Sequence, residues 1–366
     1  MSREVLDHWI HGEEEAPAAS LLARSVTLRT VTEEQPGDRW QRHFAELWPT
    51  YRRWFLSEGV EARMSLQAST ARLRLTMPEL GPIYDRLCEV AAGAGAGELA
   101  RRFLTLYRPP PYLAGCSQVL WTGDEPALVR NYDFDPALWE ATVWRSSWSG
   151  RRVLAMSDCL WGALEGMNDA GLAVGLSFGG RRVVGDGFGI PLLVRYLLET
   201  CGDATEARAA LLRVPSHMAY NLAVIDASGD GFVAYLTPGV ETVITHERVV
   251  TNHQAVCDWP AYAKFSQTVE RRERLSRALQ DARHGVPLLE TFLAPPVFTD
   301  RYDHSFGTLY TAVWRPRSGA VDLVWRDQRR TLRLDDAEDQ EWSVVLRSGP
   351  VAEEGAEAQT SARSGR

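Results

Sequence analysis

Cys116 follows Gly115 in the stretch RPPPYLAGCSQVLWTG, residues 108–123. A thiol becomes a strong nucleophile once a base takes its proton. Two readings fit a Gly-Cys pair at this place. In one, Gly115 is a loop glycine and Cys116 a small core residue, free cysteine being among the most buried types; position alone favours it. In the other, the Gly115–Cys116 bond is cut and Cys116 becomes a new N-terminus. Its α-amino group, with an ordinary pKa of about 8, is then a base carried by the nucleophile's own residue. Glycine suits the acyl side of such a cut, having no Cβ to hinder attack on its carbonyl and tolerating a strained backbone.

The flanking pattern offers a carboxylate. SQVLWT and ALVRNYDF alternate with period two around the turn-rich GDEP, as the two strands of a hairpin would. A four-residue loop pairs Thr122 with Ala127 and carries Cys116 opposite Asp133, with Cβ atoms about 5 Å apart. Asp133 could then hold the amine by a charge-assisted hydrogen bond. Strict alternation sets Arg130 on the face opposite Asp133. Either a bulge brings Arg130 to the thiol, or its part is structural.

Other residues compete for roles. Asn252, in VVTNH, is by itself a strand-end residue of a type that often hydrogen-bonds backbone groups. His253 beside it, or His217, would complete an unprocessed Cys-His hydrolase; an amine base makes a histidine unnecessary. His304, in DRYDHSFGT, reads as a loop residue that could border the site. Trp139, Trp144 and Trp148 read as core packing first and as the apolar wall of an acyl pocket second. GGRRVVGDGFG, residues 179–189, lacks the strand–GxGxxG–helix context or the GK[ST] of a nucleotide loop.

The elements that must position these residues change character near residue 110. Before it, residues 38–58 carry Trp40, Phe44, Leu47, Tyr51, Trp54 and Phe55 at helical spacing, with Pro49 expected to bend the helix. PELGPIYDRLCEVAAG and GELARRFLTLY also read as amphipathic helices, whereas LLARSVTLRTV is a short strand or an arm. After Cys116, GLAVGLSF, YNLAVIDA, GFVAYLTP and ETVITHERVVTNH read as strands around the helices IPLLVRYLLETCG and DATEARAALLRV. The second helix opens on Asp203 with Glu206 three residues on, a capping-box pattern. Residues 263–282 read as a charged helix, and TLYTAVWRP and AVDLVWRD as a last hairpin. Strands grouped around a central helical pair imply an α+β architecture of antiparallel sheets covered by helices.

The 366 residues allow two ordinary domains or one large one. Hydrophobic residues at 45% and charged residues at 24% are ordinary for a globular chain. A formal charge of −8 without a long basic run argues against a nucleic-acid partner. No apolar window reaches the length of a membrane span, and MSREVLDHWIHGEEE has no apolar signal-peptide segment. Five cysteines (Cys88, Cys116, Cys159, Cys201, Cys257) lack CxxC spacing and resemble neither a disulfide framework nor a zinc site. A reducing, cytoplasmic setting is expected, with neither metal nor organic cofactor.

Taken together, GCS at 115–117, RNYDF at 130–134, EGMNDAGLAVGLSF at 165–178, YNLAVIDASGDGFVAYLTP at 220–238, VVTNH at 249–253 and TLYTAVWRPRSGAVDL at 308–323 resemble a known family. It comprises the isopenicillin-N acyltransferase-like, self-processing N-terminal-nucleophile hydrolases, relatives of the choloylglycine hydrolases and penicillin V acylases. The resemblance implies a four-layer αββα sandwich. It implies a pro-segment over residues 1–115 that stays attached as the smaller subunit, a catalytic domain over 116–350, and a disordered tail over 351–366. By the same resemblance Cys116 is the nucleophile, Gly115 precedes the scissile bond, Asp133 supports the free amine and Asn252 stabilises the oxyanion. Arg130 matches an arginine near the thiol in the bile-salt and penicillin V branch. Ser177 stands where that branch carries an asparagine, placing this chain nearer the acyltransferase-like branch. The expected substrate is a small-molecule acyl amide, with water or an amine as acceptor and a thioester as a further candidate co-substrate. The alternatives are the unprocessed Cys-His hydrolase and a binding protein on the same fold.

Overall fold

Strands recur from Gly115 to Arg347 and, with one strand ahead of them, pair into two sheets. The computed structural model describes residues 23–282 and 288–349. The larger sheet runs β10 (Val240–Thr245), β9 (Gly231–Thr237), β8 (Tyr220–Asp226), β7 (Leu172–Phe178), β6 (Gly162–Asn168), β5 (Val153–Asp158), β4 (Thr142–Ser146), β1 (Ala23–Glu33) and β15 (Glu341–Arg347). The smaller runs β11 (Val249–Val250), β2 (Gly115–Trp121), β3 (Ala127–Phe134), β12 (Gly307–Arg315), β13 (Ala320–Val324) and β14 (Arg329–Arg333). Neighbouring strands are antiparallel, except that β1 runs parallel to β4.

β2 and β3 pack face to face with β7 and β8, so the two sheets enclose the main core. The outer face of the large sheet is covered by α5 (Ile190–Thr200) against β6 and β7, and by α6 (Ala204–Leu211) against β8 and β9. The outer face of the small sheet is covered by α8 (Thr268–Ala282) and α9 (Leu288–Phe292), which follow α7 (Pro260–Ser266). A second core of Val119, Val129, Val249, Leu275, Leu279, Phe292 and Val297 lies beneath them. The result is the expected four-layer αββα, α+β architecture.

Residues ahead of Gly115 are woven into this frame. LLARSVTLRTV contains β1, which is hydrogen-bonded between β4 and β15 inside the large sheet. The aromatic stripe forms α1 (Asp38–Phe55), which keeps Pro49 within it. α2 (Leu66–Thr76), α3 (Gly81–Gly93) and α4 (Glu98–Leu104) complete the segment. α6 starts as its sequence pattern suggests: Asp203 Oδ1 accepts from the Glu206 amide at 2.9 Å, while Glu206 Oε2 accepts from the Gly202 amide at 2.6 Å. The tail from residue 351 lies outside the described residues. Among the described residues no helix is long and apolar enough to cross a membrane, and no group of three or more His, Cys, Asp or Glu could hold a metal ion.

Candidate active site

The hairpin that carries Cys116 differs from its expected register by one residue. β2 and β3 pair Trp121 with Ala127, so the loop spans the five residues Thr122–Pro126. Tyr132 therefore stands opposite Cys116, and Asp133 opposite Gly115. The slip matters because successive side chains alternate between faces. Cys116, Arg130, Tyr132 and Phe134 point into the core between the sheets; Gly115, Asp133, Ser117 and Asn131 lie on the face toward α8 and α9. Arg130 thus reaches the thiol without a bulge between it and Asp133, and Asp133 lies beside the backbone of Gly115 rather than beside the sulfur.

On the thiol face Arg130 Nη2 donates to Cys116 Sγ at 3.3 Å, and Arg130 Nε donates to the Leu176 carbonyl at 2.9 Å. Its remaining nitrogen pairs with Glu165 on β6, a fully buried ion pair that bridges the two sheets. Burial pushes the Cys116 thiol up to about 11, against the opposing pull of Arg130.

On the other face, Asp133 Oδ1 accepts from the Thr308 hydroxyl at 2.7 Å and Oδ2 accepts from Arg271 at 3.3 Å. Burial raises the Asp133 carboxyl above its ordinary range, with Arg271 and Thr308 pulling the other way. A Cβ on Gly115 would lie 2.7 Å from Phe306 Cζ and 2.9 Å from Asp133 Cβ. Glycine is needed here for that close approach; Gly115 is a strand residue outside the positive-φ set.

Asn252 joins the two faces at the start of β2. Its Oδ1 accepts from the Cys116 amide at 2.9 Å and from Arg271 Nη2 at 2.7 Å, while its Nδ2 donates to the carbonyls of Ala114 at 3.1 Å and Phe178 at 3.2 Å. Two donors at one end and two acceptors at the other fix the orientation of the carboxamide. Gly180, at φ +70°, lets the chain pass against the Asn252 carbonyl, where a Cβ would clash with backbone.

Arg271 is the residue the sequence reading missed. From α8 it donates to the Cys116 carbonyl (2.8 Å), Ser117 Oγ (2.9 Å), Asp133 and Asn252. A signal existed: Thr268, Arg271, Leu275, Ala278 and Leu279 form the buried stripe of an otherwise charged helix. A charged residue on that stripe is rarely buried without a partner.

A family described as acyl-coenzyme A:6-aminopenicillanic acid acyl-transferase matches residues 121–330, more than half of the chain. This chain belongs to that family. The matched span contains Arg130, Asp133, Asn252 and Arg271 and begins five residues after Cys116. Similar solved structures include a mutant of conjugated bile acid hydrolase from Clostridium perfringens, with 13% identity over 63% of this chain and 96% of the other, TM-score 0.44. Penicillin V acylase from Agrobacterium tumefaciens shares 15% identity over 59% and 84%, TM-score 0.42. A further variant of the Clostridium perfringens enzyme shares 12% over 63% and 97%, TM-score 0.43. A search of curated proteins finds no match.

In this acyl-transferase family member neither candidate histidine hydrogen-bonds the thiol. His253 Nδ1 donates to Thr268 Oγ1 at 2.8 Å and its Nε2 accepts from Arg272 at 3.1 Å; burial and the neighbouring arginines push it down to about 4. His217 is buried with Nδ1 near the Phe188 carbonyl, and burial lowers it to about 4. His304 is paired with Asp303 in an exposed turn. Ser177 donates to the Thr251 carbonyl at 3.2 Å, beside Asn221, which donates to the same carbonyl at 3.0 Å. Both side chains hold the segment leading into Asn252. Trp144 and Trp148 pack against each other, and Trp139 stacks on Tyr310 while lining a cavity.

Proposed function

We propose that this chain is a self-processing N-terminal-cysteine amidohydrolase or acyltransferase. One observation carries the reading: Asn252 bridges the Cys116 amide and the Ala114 carbonyl, so the groups on both sides of Gly115 are held by one carboxamide. In maturation Cys116 Sγ attacks the Gly115 carbonyl carbon. The bond to the Cys116 nitrogen breaks, and that nitrogen takes up the thiol's proton to become an amine. Water then hydrolyses the Gly115 thioester, returning the thiol and leaving a carboxylate on residues 1–115. Those residues stay with the catalytic part, tied in through β1.

Loss of the Ala114 contact frees Asn252 Nδ2, a neutral N–H donor suited to a developing oxyanion. In turnover Sγ attacks the carbon of an acyl amide and Asn252 holds the oxyanion. The α-ammonium of Cys116 gives its proton to the departing amine, and a thioester remains. The free amine then deprotonates water, completing hydrolysis, or an acceptor amine, completing transfer. Asn252 Oδ1 orients this amine, and Asp133 flanks the space that Gly115 vacates. Arg130 favours the thiolate and opposes only part of the burial that holds the thiol up at about 11.

Intact mass tests this directly. The purified protein should give copurifying fragments 1–115 and 116–366, with Cys116→Ala remaining a single chain. An uncut wild-type chain that still hydrolyses acyl amides would sink the mechanism and restore the Cys-His alternative.

A further inference from the structure

Two donors meet on the carbonyl that precedes Gly115. Asn252 Nδ2 donates to the Ala114 oxygen at 3.1 Å, and Tyr262 Oη, from α7, donates to the same oxygen at 3.0 Å. A carbonyl oxygen has two lone pairs and takes both. The nearby hydroxyls of Ser177 and Thr251 are engaged elsewhere, on the carbonyls of Thr251 and Thr268. A phenol O–H and a carboxamide N–H converging on one oxygen are the donors an oxyanion needs, once that oxygen belongs to a substrate.

The surroundings fix the phenol in this place. Its ring stacks on Trp259 with centroids 5.3 Å apart and meets Phe178 edge-on at 5.2 Å. Phe178 also gives its carbonyl to Asn252 Nδ2. Along the backbone, the Tyr262 carbonyl accepts from Ser266 Oγ at 2.8 Å, and the Ser266 carbonyl accepts from Arg271 Nε at 2.7 Å. Arg271 also holds Asn252 Oδ1, so one side chain sets both donors relative to each other. Tyr262 is buried, and burial raises its hydroxyl far above the ordinary phenol range; Arg271 opposes the rise, while Cys116 and Asp133 add to it. A phenol so placed keeps its proton at neutral pH and remains a donor.

We propose that Tyr262 is a further catalytic residue, the second donor of the oxyanion site beside Asn252. The inference rests on the reading of Cys116 given above. After the cut, loss of the Ala114 contact frees Tyr262 Oη together with Asn252 Nδ2. A substrate carbonyl oxygen that takes the place of the Ala114 oxygen meets both. As Sγ bonds to the carbonyl carbon, the C=O π pair moves onto oxygen, and the two donors hold the negative charge without giving up their protons. When the C–N bond breaks, that pair returns to re-form C=O in the thioester. The same two donors then serve the second step, attack of water or an amine on the thioester.

The test compares two reagents on processed protein, with Cys116 followed by peptide mass. 4-Nitrophenyl acetate acylates the thiol through a tetrahedral oxyanion; iodoacetamide alkylates it at a saturated carbon and forms none. In Tyr262→Phe, which keeps the ring and removes the oxygen, acylation should slow about 100-fold, the cost of one lost oxyanion donor, while alkylation keeps the wild-type rate. A role confined to packing would move both rates together or neither, and either result overturns the proposal. So does a cut wild-type chain whose Cys116 alkylates but does not acylate. If Tyr262→Phe is not cut, 3-fluorotyrosine placed at position 262 replaces it. That more acidic phenol should raise acylation relative to alkylation, and an unmoved ratio overturns the proposal. A wild-type chain that is never cut removes the preceding reading and this inference with it. A cut, acylated wild type matched in rate by Tyr262→Phe removes this inference alone.

Discussion

The two faces of the β2–β3 hairpin solve different problems with the same kind of residue. On the core face one arginine, Arg130, sits between a sulfur and a carboxylate, paired with Glu165 across the gap between the sheets. On the α8 face one arginine, Arg271, gathers backbone and side-chain acceptors around the Gly115–Cys116 junction. The first arrangement places a cation against a buried thiol; the second holds the backbone of the junction in place. Alternation along a strand keeps them apart, so a change on one face can leave the other intact.

The largest expected effect comes from the α8 face. Arg271→Met leaves Asp133 and Asn252 Oδ1 buried without their cation, and breaking a buried pair in this way costs about 3–5 kcal/mol. Urea unfolding should show a loss of that order, with processing abolished; near-wild-type stability would mean that the network does not hold the junction. Gly115→Ala comes next. Its methyl group meets Phe306 and Asp133 but lies away from the sulfur, so overpacking of about 1–3 kcal/mol is expected. Processing, timed by mass, should slow at least tenfold. Cleavage at the wild-type rate would show that the close approach of Asp133 is incidental.

Arg130→Lys sharpens the other side. A lysine can keep the charge beside Glu165 but loses the fork that also reaches Sγ. Because Arg130 lowers the thiol pKa, its replacement should move the pH midpoint of Cys116 alkylation upward in processed protein. An upward shift of about one unit cuts the thiolate fraction at neutral pH about tenfold. An unmoved midpoint would place Arg130 outside the chemistry.

Much of this site was legible before folding because it rests on residue types in short order. GCS, RNYDF and VVTNH hold Cys116, Asp133, Arg130 and Asn252, and the alternation around them marks strands. The register was not legible. GDEP suggests a four-residue loop, whereas the chain closes the turn over five residues, 122–126. Nothing local distinguishes the two; the pairing that buries Leu120, Leu128 and Tyr132 against the other sheet decides it. β4, β5 and β6 were not legible either; like β3, β7 and β8 they are buried throughout and show no half-exposed face.

The sequence by itself determined the fold class and set Cys116, Asp133, Arg130 and Asn252 in short motifs, since these follow from hydrophobic period and from side-chain chemistry. Only the tertiary structure decided which face each group occupies, that Arg271 arrives from a helix 155 residues beyond Cys116, and that residues ahead of the junction join the large sheet. Those are relations between distant segments, set by sheet register and by packing across layers, which no local pattern encodes.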